Sequence, residues 1–154
     1  MSKVLFQIEP EIDFELICIS SHHKDYRLCW EINRNLGMEL KRVDEYFLGT
    51  KEKPGELFSQ FNYSDATDHA EFYLIANRCI PEAGEEKPED LFPTEDSMKL
   101  VPEMKQVDYL LLIYGQLNEM EMKLLEDKLN GLAMVQAAWK QDVDKLRSKY
   151  NLLR

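Results

Sequence analysis

Apolar positions along this chain keep two rhythms, a near-continuous one and a helical one, separated by short polar punctuation. Phe14 to Ser20 contains the mostly apolar run Leu16-Ile17-Cys18-Ile19 and reads as the first strand. Ser20-Ser21-His22-His23 breaks it, and the Ser21 hydroxyl is placed to cap a helix from about Lys24 to Leu36. Tyr26, Cys29, Trp30 and Leu36, with Ile32 at the margin, form its expected apolar stripe, and Gly37 is its expected stop. Glu39 to Phe47 reads as the next strand, followed by a turn at Lys51-Glu52-Lys53-Pro54-Gly55. Leu57, Ser59, Phe61 and Tyr63 alternate with Phe58, Gln60 and Asn62, as on a half-exposed strand. After Asp65-Ala66-Thr67-Asp68 turns the chain, Glu71 to Cys79 completes an antiparallel meander.

The most apolar strand is expected over Val107 to Tyr114 and belongs at the centre of a sheet. Asn118-Glu119-Met120-Glu121 has the spacing of a capping box, and its helix should end near Asn130-Gly131. Leu132 to Gln141 fits both a helical stripe and one strand face, and a strand is favoured. A short helix is expected from Val143 to Tyr150. The reason for favouring a strand is internal similarity: Phe14–Phe47 and Tyr109–Gln141 each read strand, capped helix, glycine stop, strand. The expectation is one α+β domain spanning 1–154: a mainly antiparallel sheet with helices on one face. Two βαβ-like halves are joined by the meander, as in an expanded ferredoxin-like fold.

Pro81 to Pro102 contains four of the six prolines and reads as an acidic surface loop, too polar to join a core. From Glu82 to Glu103 there are eight acids against Lys87 and Lys99. The whole chain has 29 acidic and 19 basic residues, a net charge of −10, which repels nucleic-acid backbones and anionic lipids. Lys24 to Arg42 reverses the balance, with five basic residues against three acids, so a basic helix face is a weaker candidate for RNA. No apolar run reaches the roughly 20 residues of a membrane helix. The start, Met1 to Glu9, lacks a signal-peptide core, and Cys18, Cys29 and Cys79 are odd in number and scattered. Together these point to reduced thiols in a cytoplasmic protein.

Val101-Pro102-Glu103 followed by Val107-Asp108-Tyr109 resembles the signature of the bacterial IPExxxVDY proteins, with valine in place of the first isoleucine. Asp25 to Gly37 and Leu146 to Leu152 resemble other parts of that family, so the similarity spans most of the chain. It implies a single cytosolic bacterial domain. It supplies no activity, ligand or catalytic residue.

Four residues are candidates for a ligand site, in a pocket between the first helix and the Pro102 turn. Asn33 is either a ligand-orienting amide or a structural hydrogen-bonding group to the end of a neighbouring strand. Arg27, near the start of the first helix, calls for a carboxylate partner, either Glu103 or Asp108. Its alternative is an anion site built with the free amides of the helix start. Glu103 and Asp108 have the chemistry of paired acids, although Asp108 more simply accepts from backbone amides at the strand entry. No HExxH, CxxC, GxSxG or phosphate-loop spacing occurs, and neither His22–His23 with Cys18 nor His69 with Asp65 and Asp68 makes a convincing metal set. No catalytic residue, metal or cofactor is therefore assigned. The favoured function is a non-enzymatic binding or assembly module forming a homodimer through an exposed meander edge, with an unknown protein partner. The alternative is a regulatory or enzymatic domain that binds an anionic metabolite.

Overall fold

The computed structural model describes residues 12–50, 53–67, 69–80, 99–115 and 117–153. Six strands form one sheet: β1 (Phe14–Ser20), β2 (Lys41–Thr50), β3 (Lys53–Asp65), β4 (Ala70–Cys79), β5 (Tyr109–Tyr114) and β6 (Ala137–Gln141). Helix α1 (Asp25–Leu36) follows β1, and α2 (Glu119–Asn130) follows β5. The strand order is β2-β3-β4-β5-β1-β6, and every neighbouring pair is antiparallel. Because β5 and β6 both run against β1, the unit β5-α2-β6 is a split βαβ with β1 inserted between its strands. The unit β1-α1-β2 is split more widely, since β5, β4 and β3 intervene. The expected two halves are present, and the meander β2-β3-β4-β5 is what expands them.

Both helices pack on one face. Ile17 and Ile19 of β1, Leu111 and Ile113 of β5, and Phe61 and Leu74 meet Leu28, Cys29 and Ile32 of α1 and Met122, Leu125 and Leu129 of α2. The alternate residues Leu16, Cys18, Leu110 and Leu112 bury on the opposite face. Among the described residues no α-helix covers that face. It is closed by Leu100, Val101 and Val107 and by Val143, Leu146 and Leu152 near the C-terminal end. Two buried faces explain why β1 and β5 read as continuous apolar runs. Each such side chain contributes about 1.5–3 kcal/mol by leaving water.

The local details correct several expectations. Ser21 does not cap α1: Lys24 stands at the N-cap without a side-chain bond, while the Ser21 hydroxyl accepts from the His23 amide and donates to the Met134 carbonyl. The buried stripe of α1 is Leu28, Cys29, Ile32 and Glu31, whereas Tyr26 and Trp30 are 60% and 56% exposed, with Arg34 stacked on the Trp30 ring. Gly37 does end the helix with φ +69°, in the left-handed region where a side chain is strained. The capping box of α2 is present in full. Strand β6 begins only at Ala137, and the expected final helix is two 3-10 turns, Val143–Lys145 and Lys149–Leu152. Bulges between Phe58 and Gln60 on β3 and between Val43 and Tyr46 on β2 shift the pleat, so Phe58, Ser59 and Gln60 are all buried. Residues 81–98 of the expected acidic loop lie outside the described residues, but its end does join the core: Leu100 and Val101 are fully buried.

One device recurs in the two halves. The Asn33 amide on α1 donates to the Leu40 carbonyl at 3.1 Å and accepts from the Leu40 amide at 2.8 Å. On α2, Asn130 does the same to Ala138, at 2.7 and 2.8 Å. In each half the late helical asparagine replaces a missing strand neighbour and satisfies both backbone groups of one downstream residue. Asn33 therefore takes the structural role of the two open to it.

No described helix is long and apolar enough to cross a membrane. Cys18 and Cys29 are buried, and burial pushes both thiols up to about 12, with the Asp25 carboxylate adding to the effect at Cys29. Cys79 is half-buried. A thiol reagent at pH 8 should label Cys79 fastest in the native protein and all three cysteines only after denaturation, as read by mass spectrometry of quenched time points. Fast native labelling of Cys18 would show that the 100–107 cover opens readily.

Candidate functional site

The site forms where three chain segments meet at one end of the sheet. Asn77, 1% exposed near the end of β4, fastens the incoming segment. Its Oδ1 accepts from the Val101 amide at 2.8 Å, and its Nδ2 donates to the Val107 carbonyl at 2.9 Å and, at longer range, to the Met104 and Val101 carbonyls. Its own backbone bonds to Leu100 and Asp108 complete the attachment. One buried amide thus holds the 100–108 turn against β4, and no polar atom of it is left unpaired.

The second segment is the turn after β1. The Asp108 carboxylate accepts from the Ser21 amide at 2.8 Å and, more distantly, from the Ser20 hydroxyl. The Tyr109 hydroxyl donates to the His23 carbonyl. Burial raises the Tyr109 phenol well above its ordinary value, and the carboxylates of Asp25 and Asp108 add to this, so it stays a neutral donor. Glu103 turns the other way and accepts from the Ser148 amide at 2.9 Å and from the Ser148 hydroxyl. Partial burial works to raise the Glu103 carboxyl, but these donors outweigh it and hold the group below its usual range. Asn151 adds a bond to the Leu100 carbonyl. Asp108, Tyr109 and Glu103 therefore fasten the Val101–Tyr109 segment to the turn after β1, to the α1 entry and to the C-terminal turns.

Between these segments lies a cavity of about 330 Å³. Its walls are Ser21 to Lys24, Ala76 to Arg78, Lys99, and Val107 to Tyr109. Three cationic side chains, Lys24, Arg78 and Lys99, and the imidazoles of His22 and His23 line it, against the single carboxylate of Asp108. Arg78 and Lys99 sit opposite each other on an isolated antiparallel bridge. Among the described residues the Arg78 and Lys24 side chains have no hydrogen bond or ion pair, while Lys99 donates to the Lys105 carbonyl at 2.6 Å. Partial burial, then the Arg78 charge, and then Lys105 against the opposing effect of Asp108, lower the Lys99 amine below its ordinary 10.5. Like charges have been brought together here, and among the described residues only the Asp108 carboxylate lines the cavity with them.

Of the four residues expected to line a pocket, only Asp108 lies in this cavity. Asn33 is occupied with Leu40, Glu103 with Ser148, and Arg27 is exposed on α1 with neither Glu103 nor Asp108 as its partner. The expected Arg27 ion pair does not form, because Asp108 is turned toward the Ser20–Ser21 backbone and Glu103 toward the C-terminal turns. Sequence reasoning missed Asn77, Arg78 and Lys99. The available signal was Asn77 itself, a full amide in the otherwise apolar stretch Leu74-Ile75-Ala76. Of the basic residues in 24–42, Arg42 is paired with Asp25 and Glu45, and Arg34 with the Trp30 ring. Among the described residues no cluster of histidine, cysteine and carboxylate side chains converges to hold a metal ion. Comparison with protein-family models, curated proteins and solved structures finds no match for this chain.

Proposed function

We propose that this chain is a cytoplasmic, non-enzymatic binding module whose cavity at the β1–β4–β5 end takes a small anionic metabolite. The reading rests on one observation: among the described residues three cations and one already engaged carboxylate line a cavity. Arg78 pushes against the Lys99 charge, and an anion seated between the two would relieve that repulsion. The volume lies near the lower end of metabolite pockets, which suits a phosphate ester or a di- or tricarboxylate. Two deeply buried thiols fit a reducing compartment. Membership of the IPExxxVDY proteins is proposed on the 101–109 segment, of which Val107, Asp108 and Tyr109 line the cavity.

Thermal unfolding with inorganic phosphate, pyrophosphate and citrate tests this against neutral glycerol and ribose. At about a hundredfold excess over Kd, an anion binding only the folded state adds about 2.7 kcal/mol. That corresponds to roughly 5–10 °C in Tm for a chain of this size. The gain should shrink as salt is added. No anion-specific shift at low salt would remove the proposal.

A further inference from the structure

Helix α2 presents exposed apolar side chains beside a cleft. A cleft of about 200 Å³ opens between the end of α1 and α2, above β3 and β4, walled by Met38, Tyr63, Phe72 and Leu124, with Glu121 and Lys128 also lining it. Next to it on the same helix, Met120 is 81% exposed and Leu124 53%. Met120, Leu124 and Lys128 follow one another at helical spacing on α2, so they share a stripe. We infer that this stripe and cleft dock a second copy of the chain, α2 against α2 in antiparallel fashion.

The sequence of the helix supports that occupant. With Leu124 on the two-fold axis, residue 121 of one copy lies beside residue 128 of the other. Glu121 then faces Lys128 of the second copy, and the reverse pair forms by symmetry. Met120 of each copy lies in the seam on the other side of Leu124 from the Glu121–Lys128 pair, so both exposed apolar side chains of the helix are covered. Strand pairing is the less favourable route for a second copy. The β2 edge has a bulge between Val43 and Tyr46 and the exposed charges Lys41, Arg42, Asp44 and Glu45. The outward backbone of β6 is already bonded, with Asn130 taking Ala138 and Glu126 accepting from the Lys140 amide.

Sedimentation velocity on the full chain at about 100 µM reads the result. The wild type should sediment at twice the chain mass. Leu124→Glu and Met120→Glu should each weaken association by about a hundredfold. Both positions are exposed, so circular dichroism and melting of the variants should match the wild-type monomer. A wild type that stays monomeric, or a dimer that persists in both variants, would overturn the inference.

Discussion

Replacing Asn77 by alanine is expected to cost about 3 kcal/mol and to lower Tm by roughly 6–12 °C. The amide makes its close bonds to Val101 and Val107 where water cannot replace them. Its removal leaves a buried N–H and a buried carbonyl without partners, each costing about 1–3 kcal/mol. The damage should also spread. Leu100, Val101 and Val107 cover the sheet face that has no helix, and they are held there by this residue. Hydrogen exchange should therefore quicken over 99–108 and along the adjoining strands before it quickens in α2. An Asn77→Ala protein that melts within about 2 °C of wild type would mean that hydrophobic burial alone seats the segment.

The second large effect concerns binding. The double substitution Arg78→Ser, Lys99→Met should weaken pyrophosphate binding by about a hundredfold, since each charge-assisted hydrogen bond contributes roughly 1.5–3 kcal/mol. Without ligand the same variant should be no less stable than wild type, because Arg78 and Lys105 both push against the Lys99 charge. The pH dependence has a definite sign. Lys99 is lowered from 10.5 by burial and by these neighbours, and an anion favours its charged form. Affinity is then highest where Lys99 is protonated and falls as pH rises through the lowered value, with proton uptake on binding in that range. Isothermal titration in two buffers of different ionisation enthalpy measures both. Unchanged affinity in the double variant would place any bound anion elsewhere.

Much of the architecture could be read from the residues, because it follows from local rules. The continuous apolar runs of β1 and β5 require two buried faces, the Asn118–Glu121 box starts α2, and Gly37 ends α1. The repeat of strand, helix and strand was legible too, and the twin bonds of Asn33 and Asn130 are its physical content. What escaped depends on partners distant in sequence. On α1, Tyr26 and Trp30 dominate any stripe drawn by side-chain size, yet the sheet takes the neighbouring arc through Leu28 and Ile32. Leu100 and Val101 follow an acidic stretch, and nothing local says that they cover a sheet face. The cavity lies between the α1 entry and the 99–108 segment, and of the four residues expected to line a pocket only Asp108 is in its wall. Its cations, however, come from Lys24, Arg78 and Lys99. Arg78 and Lys99 are twenty-one positions apart and meet only through the bridge that joins them.

Amide spectra of the labelled chain during titration with inorganic pyrophosphate examine the site most directly. Saturable shifts should concentrate at Ser21 to Lys24, Asn77, Arg78, Lys99 and Val107 to Tyr109, four stretches that only this fold brings together. A spectrum that does not move, or shifts centred on Arg27 and Arg34 along the outer surface of α1, would contradict the account.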